Sequence, residues 1–309
     1  MEKYGNSGDG KNKYQLPLGS AAGGLSYTFT VVISLLINII ASGIIAAGSL
    51  NDTDAAKYIA VLVSPLAIAI TLLVTLKVVK QPFGKVLPLK AHPKYFLIGV
   101  LLIFGLLFSL SWVNEYLIEL FELMGYKRRQ SFLPDYSGWK VLPVLITYAI
   151  LPAIAEEILF RGILLNNTEE GAGSIRAILL SGFCFSLYHG SVEQTIYQFI
   201  CGCLFALLAV RSRSVTPTVV IHFLNNALII VLYSAGAMNP ATDALLMSKT
   251  AEIIITVFSA VSLIGAIVWL VLDKTPLKKC TEGGVKQFFI FAAVGIGAMA
   301  LMWLVGLFA

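Results

Sequence analysis

Long apolar runs separated by short loops fill the sequence from Leu25 onward, and no other feature limits the fold as strongly. The runs fall at about residues 25–50, 58–76, 95–118, 141–166, 175–189, 192–210, 217–237, 251–272 and 288–309. Most approach the ~20 residues that carry a helix across a hydrocarbon core of ~30 Å. Inside that core the backbone has to satisfy its own polar groups, which a helix does within one segment. With 58% hydrophobic and 13% charged residues among 309, the chain has more apolar surface than a water-soluble core could hide. The expected fold is all-α, a polytopic transmembrane bundle of about eight or nine helices.

The loops carry an orientation signal. Counted alternately from a cytoplasmic amino terminus, the second loop holds Lys77, Lys80, Lys85, Lys90 and Lys94, the sixth Arg211 and Arg213, and the eighth Lys274, Lys278, Lys279 and Lys286. Short cytoplasmic loops are enriched in Lys and Arg, so these three belong on that side of a cell membrane. The first, fifth and seventh loops are poor in basic residues. The third, with Lys127, Arg128, Arg129 and Lys140, runs against the pattern and leaves the number of spans before Val141 open. Residues 1–24 are polar, glycine-rich and basic, and read as a mobile cytoplasmic tail. The first apolar run is too long for the core of a cleaved signal. Residues 25–309 then read as one helical membrane domain, with a catalytic core at about 141–237. The net charge of +5 resides in loops between apolar runs and gives no case for a nucleic-acid partner. Cys184, Cys201, Cys203 and Cys280 have neither a disulfide framework nor a zinc-finger spacing, and read as small apolar residues.

The fourth run is the anomalous one, because Glu156, Glu157 and Arg161 interrupt it. Each ionisable group at bilayer depth costs roughly 2.5 to 3.5 kcal/mol on insertion scales, so these three need partners or a task. At ~100° per residue, Glu157 and Arg161 share a helix face with the acid on the amino-terminal side, the favourable order for an ion pair. Glu156 is turned away from both and free to face a cavity. Pro152 lacks a backbone donor and frees the carbonyl of Tyr148, while Ala153 and Ala155 let a neighbouring helix come close. The plain alternative is a charge cluster at the helix end with Arg161 reaching into headgroups.

Two further runs argue against that alternative. In the fifth, Phe185 and His189 lie four residues apart between a cap at Ser174 and a stop at Gly190, a helix of about 15 residues that spans only ~22 Å. His189 is thereby expected inside the membrane. Ser191 and Gln194 have capping-box spacing for the next helix. In the seventh, Thr216 and Pro217 mark a start, and His222 and Asn226 lie four apart one to two turns on. The plain reading of either histidine is a hydrogen bond between helices. His92, beside Pro93 in a basic loop, reads as solvated. A carboxylate, two imidazoles and a carboxamide around one polar cavity suit the activation of water against an amide carbonyl. On this reading Glu156, its pKa raised by partial burial, is the general base, His189 holds the water, and His222 and Asn226 donate to the oxyanion.

In order and spacing, Glu156-Glu157-x-x-x-Arg161, Phe185-x-x-x-His189 and His222-x-x-x-Asn226 resemble the three motifs of the CPBP family, the type II CAAX prenyl endopeptidases and bacteriocin-processing proteins also called Abi. The resemblance covers about residues 141–237. It implies an intramembrane endopeptidase with a cavity open toward the cytoplasm, Glu156 activating water with His189 as partner, His222 and Asn226 stabilising the oxyanion, and Glu157, Arg161 and Phe185 in support. Its substrates would be peptides or proteins with an apolar or lipidated anchor, or bacteriocin leaders, met at membrane lipid.

The residues require no cofactor but leave room for zinc, which His189, His222 and either Glu156 or Glu157 could hold with a water. No His-Glu-x-x-His helix is present, and Glu156 could not be both ligand and free base. A non-enzymatic bacteriocin immunity or membrane scaffold protein is the main alternative function. A proton-coupled transporter would also place Glu and His at depth, but no paired broken helices in repeated halves are visible.

Overall fold

The computed structural model describes residues 19–127, 133–239 and 245–308. The expected tail up to Leu18 and the basic pair Arg128 and Arg129 lie outside them. Among the described residues there is no strand, only an isolated bridge between Met238 and Leu245. Among the described residues, eight helices are long and apolar enough to cross a membrane. The chain is a multi-pass membrane protein built as an all-α bundle.

The helices are α1 (Ser20–Ala47), α2 (Asp54–Lys77), α3 (Lys94–Ser109), α4 (Ser111–Glu122), α5 (138–172), α6 (174–188), α7 (Thr195–Ser212), α8 (Thr216–Ser234), α9 (Lys249–Leu272) and α10 (Gly284–Phe308). A break at Leu110 divides one crossing into α3 and α4. Helix α1 starts at Ser20, earlier than the first apolar run, and buries Ser20, Ala21, Gly23 and Gly24, which the polar composition had given to the tail. Small residues let it lie against α10, where Thr28 donates to the Phe291 carbonyl.

Helices α5 and α6 form one 51-residue helical stretch by composition, yet they run antiparallel. The turn is made at Gly173, whose backbone (φ 74°, ψ 163°) is open to glycine but strained for other residues. A side chain there would also strike the backbone of Lys279 and Cys280. Ser174 therefore begins α6 as expected, but its hydroxyl is directed to Glu169 (2.6 Å) and accepts from the Lys278 amide (2.8 Å), tying the turn to a neighbouring loop. At the far end Gly190 takes φ 57° and stops the helix. The Gln194 amide donates to the Ser191 hydroxyl at the entry to α7 (3.3 Å).

Helix α5 is not a regular α-helix. Residues 145–150 and 158–165 are π-helical, on either side of an α-helical turn carrying Pro152, Glu156 and Glu157. Wider turns of this kind recur at functional sites because they re-aim side chains within a continuous helix. Helices α5 to α8 enclose the polar residues. Aromatic and aliphatic side chains of α1, α5, α6 and α10 seal one flank, and those of α3, α7 and α9 seal another.

Candidate active site

Glu157 and Arg161 are both fully buried and paired at 2.7 Å, so Arg161 does not reach the headgroups. A charge at this depth needs partners beyond its counter-ion, although Arg161 Nε has none among the described residues. Arg161 also donates to the Gly202 carbonyl on α7 (3.1 Å), and its guanidinium packs over the rings of Phe185, Phe205 and Phe160 at 4.5, 5.3 and 5.9 Å. The carbonyl is in reach because Gly182 and Gly202 let α6 and α7 touch. A Cβ at Gly202 would sit 2.8 Å from the Gly182 Cα.

Glu157 has a second partner. Its Oε1 is 2.9 Å from His222 Nδ1. A carboxylate paired with arginine only accepts, so His222 Nδ1 carries the hydrogen and Nε2 presents a lone pair. The same logic fixes His189: its Nδ1 lies 2.8 Å from the Phe185 carbonyl, which has no hydrogen to give. Both rings pack edge-on to Phe185, with centroids 4.6 Å (His189) and 6.0 Å (His222) from it.

Both free Nε2 atoms face Glu156. Its Oε2 is 3.8 Å from that of His189 and 3.9 Å from that of His222, and it accepts no hydrogen bond from the described residues. These separations exceed a direct hydrogen bond and suit one bridging water. Three acceptors converge where only a donor can relieve them. The surrounding cavity, about 60 Å³, is lined also by Tyr197, Gln198, Cys201, Phe205, Asn225 and Asn226. It admits water but is well under the ~300 Å³ at which ligand pockets begin. A larger cavity of about 550 Å³, beside Arg176, Leu179 and Gly283, contains none of the motif residues.

Asn226 is on the cavity wall. Its amide donates, at 3.4 Å, to the Tyr148 carbonyl, whose i+4 residue is the donor-less Pro152, and its own oxygen accepts from Asn225 at 3.0 Å. Asn225 thus holds the carboxamide so that Nδ2 retains a free hydrogen. Sequence reasoning missed Asn225, Phe205 and the Gly202 carbonyl. Two consecutive asparagines in an apolar run were a usable signal for the first; nothing in the sequence marked the other two. His222 Nδ1 is committed to Glu157, so the ring meets the cavity through Nε2.

For zinc, Glu157 is engaged by Arg161 and His222, which leaves Glu156, His189 and His222. Glu156 Oε2 stands about half an ångström farther from each imidazole than the ~3.3 Å between ligands of a tetrahedral zinc. Among the described residues no group of three or more His, Cys, Asp or Glu side chains is placed to hold a metal ion. As placed, the three side chains stand wider apart than zinc ligands do.

Residues 138–228 match the family model described as type II CAAX prenyl endopeptidase, Rce1-like. The segment is thus similar to an Rce1-like domain. It contains every residue of the three motifs, and the CPBP resemblance read from their spacing agrees with it. No curated protein and no solved structure matches the chain. The match to that family model supports, in general terms, a CAAX-type intramembrane endopeptidase acting on a peptide or protein substrate at a membrane.

Proposed function

We propose that the protein hydrolyses a peptide bond with a water activated by Glu156. The observation that carries this reading is the convergence of Glu156 Oε2 with two imidazole lone pairs at 3.8 and 3.9 Å in a water-sized cavity. A water there donates one hydrogen to Glu156 and the other to His189, leaving its own lone pair for a carbonyl carbon. As the C–O bond forms, the first hydrogen passes to Glu156 and the carbonyl electrons move to oxygen. Asn226 Nδ2 donates to that oxyanion. His222, held by Glu157 through Nδ1, presents Nε2 to the same cavity. Glu156 then returns its proton to the leaving nitrogen as the C–N bond breaks. Glu157, Arg161 and Phe185 are positioning residues, acting through the two histidines.

The substrate is proposed to be a polypeptide whose apolar or lipidated anchor brings it to the membrane, in a cell membrane that leaves the amino terminus on the cytoplasmic side. The test compares wild type with Glu156→Gln in liposomes against lipidated and unlipidated peptides, with products identified by mass. Cleavage should fall by at least ~10²-fold in the variant, the lower range for loss of a general base, with thermal stability retained. Equal cleavage by both proteins removes Glu156 from the mechanism. Inactivation of wild type by a chelator, reversed by zinc, would replace the metal-free scheme.

A further inference from the structure

The loops sort onto two faces of the bundle. On one face Asn166 donates to the Lys85 carbonyl (3.0 Å), the Val215 amide to Pro88 (2.9 Å) and the Ser174 amide to Lys278 (3.0 Å), so the second, fourth, sixth and eighth loops meet there. On the other face Lys57 donates to the Leu133 carbonyl (3.0 Å) and Tyr126 to Glu193 (2.6 Å), joining the first, third and fifth loops. The first face carries the basic loops. Even with Lys57, Lys127, Lys140 and Lys249 on the second, Lys and Arg of the described loops on the first outnumber those opposite.

The site opens toward the second face. Side-chain exposure rises from 0% at Glu157 and Arg161 through 7% at His222 and 12% at Glu156 to 21% at His189. Phe205 and Phe185 close the floor, at 2% and 1%. His189 caps α6 on the second face, and Gln198, on the cavity wall, lies one turn into α7 from that side and bonds to the exposed Gln194 (3.2 Å). The mouth and the basic loops therefore lie on opposite sides of the bundle.

From this opposition and the cytoplasmic preference of basic loops, we infer that the mouth faces away from the cytoplasm. The enzyme then takes polypeptide that has crossed the membrane, an exported peptide or a segment anchored in the outer leaflet, and not a cytoplasmic chain terminus. The substrate clause rests on the peptidase reading; the orientation does not.

An impermeant maleimide applied to cells producing the protein reads the orientation without any activity. Cys280 is exposed on the basic face, and Gln194→Cys, in a Cys280→Ser background, reports the mouth. Gln194→Cys should label equally in intact and permeabilised cells, and Cys280 of the wild type only after permeabilisation. Labelling of Cys280 in intact cells, or protection of Gln194→Cys there, overturns the inference. Ser137→Cys, exposed on the mouth face, serves in the same way where Gln194→Cys does not accumulate. Should the labelling hold while no externally added peptide is cleaved by wild type, the orientation stands and the peptidase reading fails.

Discussion

Two buried carboxylates in this bundle each gather two basic partners, yet they stand in different surroundings. Glu157, in the middle of the membrane domain, holds Arg161 and His222 at 2.7 and 2.9 Å, with the arginine fully buried. Glu169, at the basic face, holds Arg213 and Lys278, each at 3.0 Å, and a hydroxyl hydrogen from Ser174, but its cations are 41% and 46% exposed. Water can replace part of what Glu169 loses if a cation leaves. No such replacement reaches Glu157, so the central cluster has to be complete to exist. Depth thus makes one cluster a precondition of the site, and shallowness makes the other a clasp between three loops.

The largest effect on stability should come from breaking the central cluster one residue at a time. Glu157→Gln leaves Arg161 as a buried, uncompensated charge, a loss of about 3–5 kcal/mol, read as a fall in thermal midpoint in detergent. Replacing the pair together, Glu157→Leu with Arg161→Met, should recover most of that stability, because two apolar groups of similar volume need no partners. Activity should not return with it, since His222 Nδ1 then has no carboxylate to fix its tautomer. A double variant as active as wild type would mean that the pair serves the fold alone.

That central pair was legible in the sequence, and the reason is local. Four residues of helix bring Glu157 to Arg161 whatever the rest of the chain does, and the same rule set Phe185 against His189. The apolar runs were legible for an equally simple reason, the fixed thickness that each has to cross. Contacts that depend on how two helices meet were not: Phe205 over Arg161, the Gly202 carbonyl and the Glu157–His222 bond depend on the α6–α7 and α5–α8 crossings. The π-helical turns of α5 escaped as well, because composition does not separate an i+5 bond from an i+4 bond. Nothing in the local sequence marks Glu169. Only the Gly173 turn, which folds α6 back along α5, brings Lys278 and Arg213 to it.

The outer clasp should respond more weakly. Glu169→Gln loses two half-exposed ion pairs, each of the kind worth ~1 kcal/mol or less, and keeps a carbonyl for Ser174. The expected loss is about 1–2 kcal/mol. It should shrink further in high salt, which screens exposed pairs, whereas the deficit of Glu157→Gln should be indifferent to salt. Equal salt sensitivity in the two variants would erase the distinction between the clusters.

The smallest effect belongs to Asp273, which extends the same clasp to α3. Burial pushes its carboxyl up, but hydrogen bonds from Lys94 (2.7 Å), Thr275 (2.9 Å) and Tyr95 (3.1 Å) outweigh burial and hold it below the usual carboxylate range. With the folded value below the unfolded one, the stabilisation is fully present above the unfolded value near ~3.9. It is lost as pH falls from there toward the folded value. Because Lys94 is 36% exposed, screening keeps the whole contribution under about 1 kcal/mol. The thermal midpoint of Asp273→Asn should therefore trail wild type by a small constant margin from neutrality down to about pH 4, and the two should converge below it. A margin that instead widened on acidification would mean that Asp273 is protonated more readily in the fold than out of it, with burial overriding its three donors. Glu157 would then differ from the peripheral acids in degree of pairing alone, and depth would no longer separate the two regions.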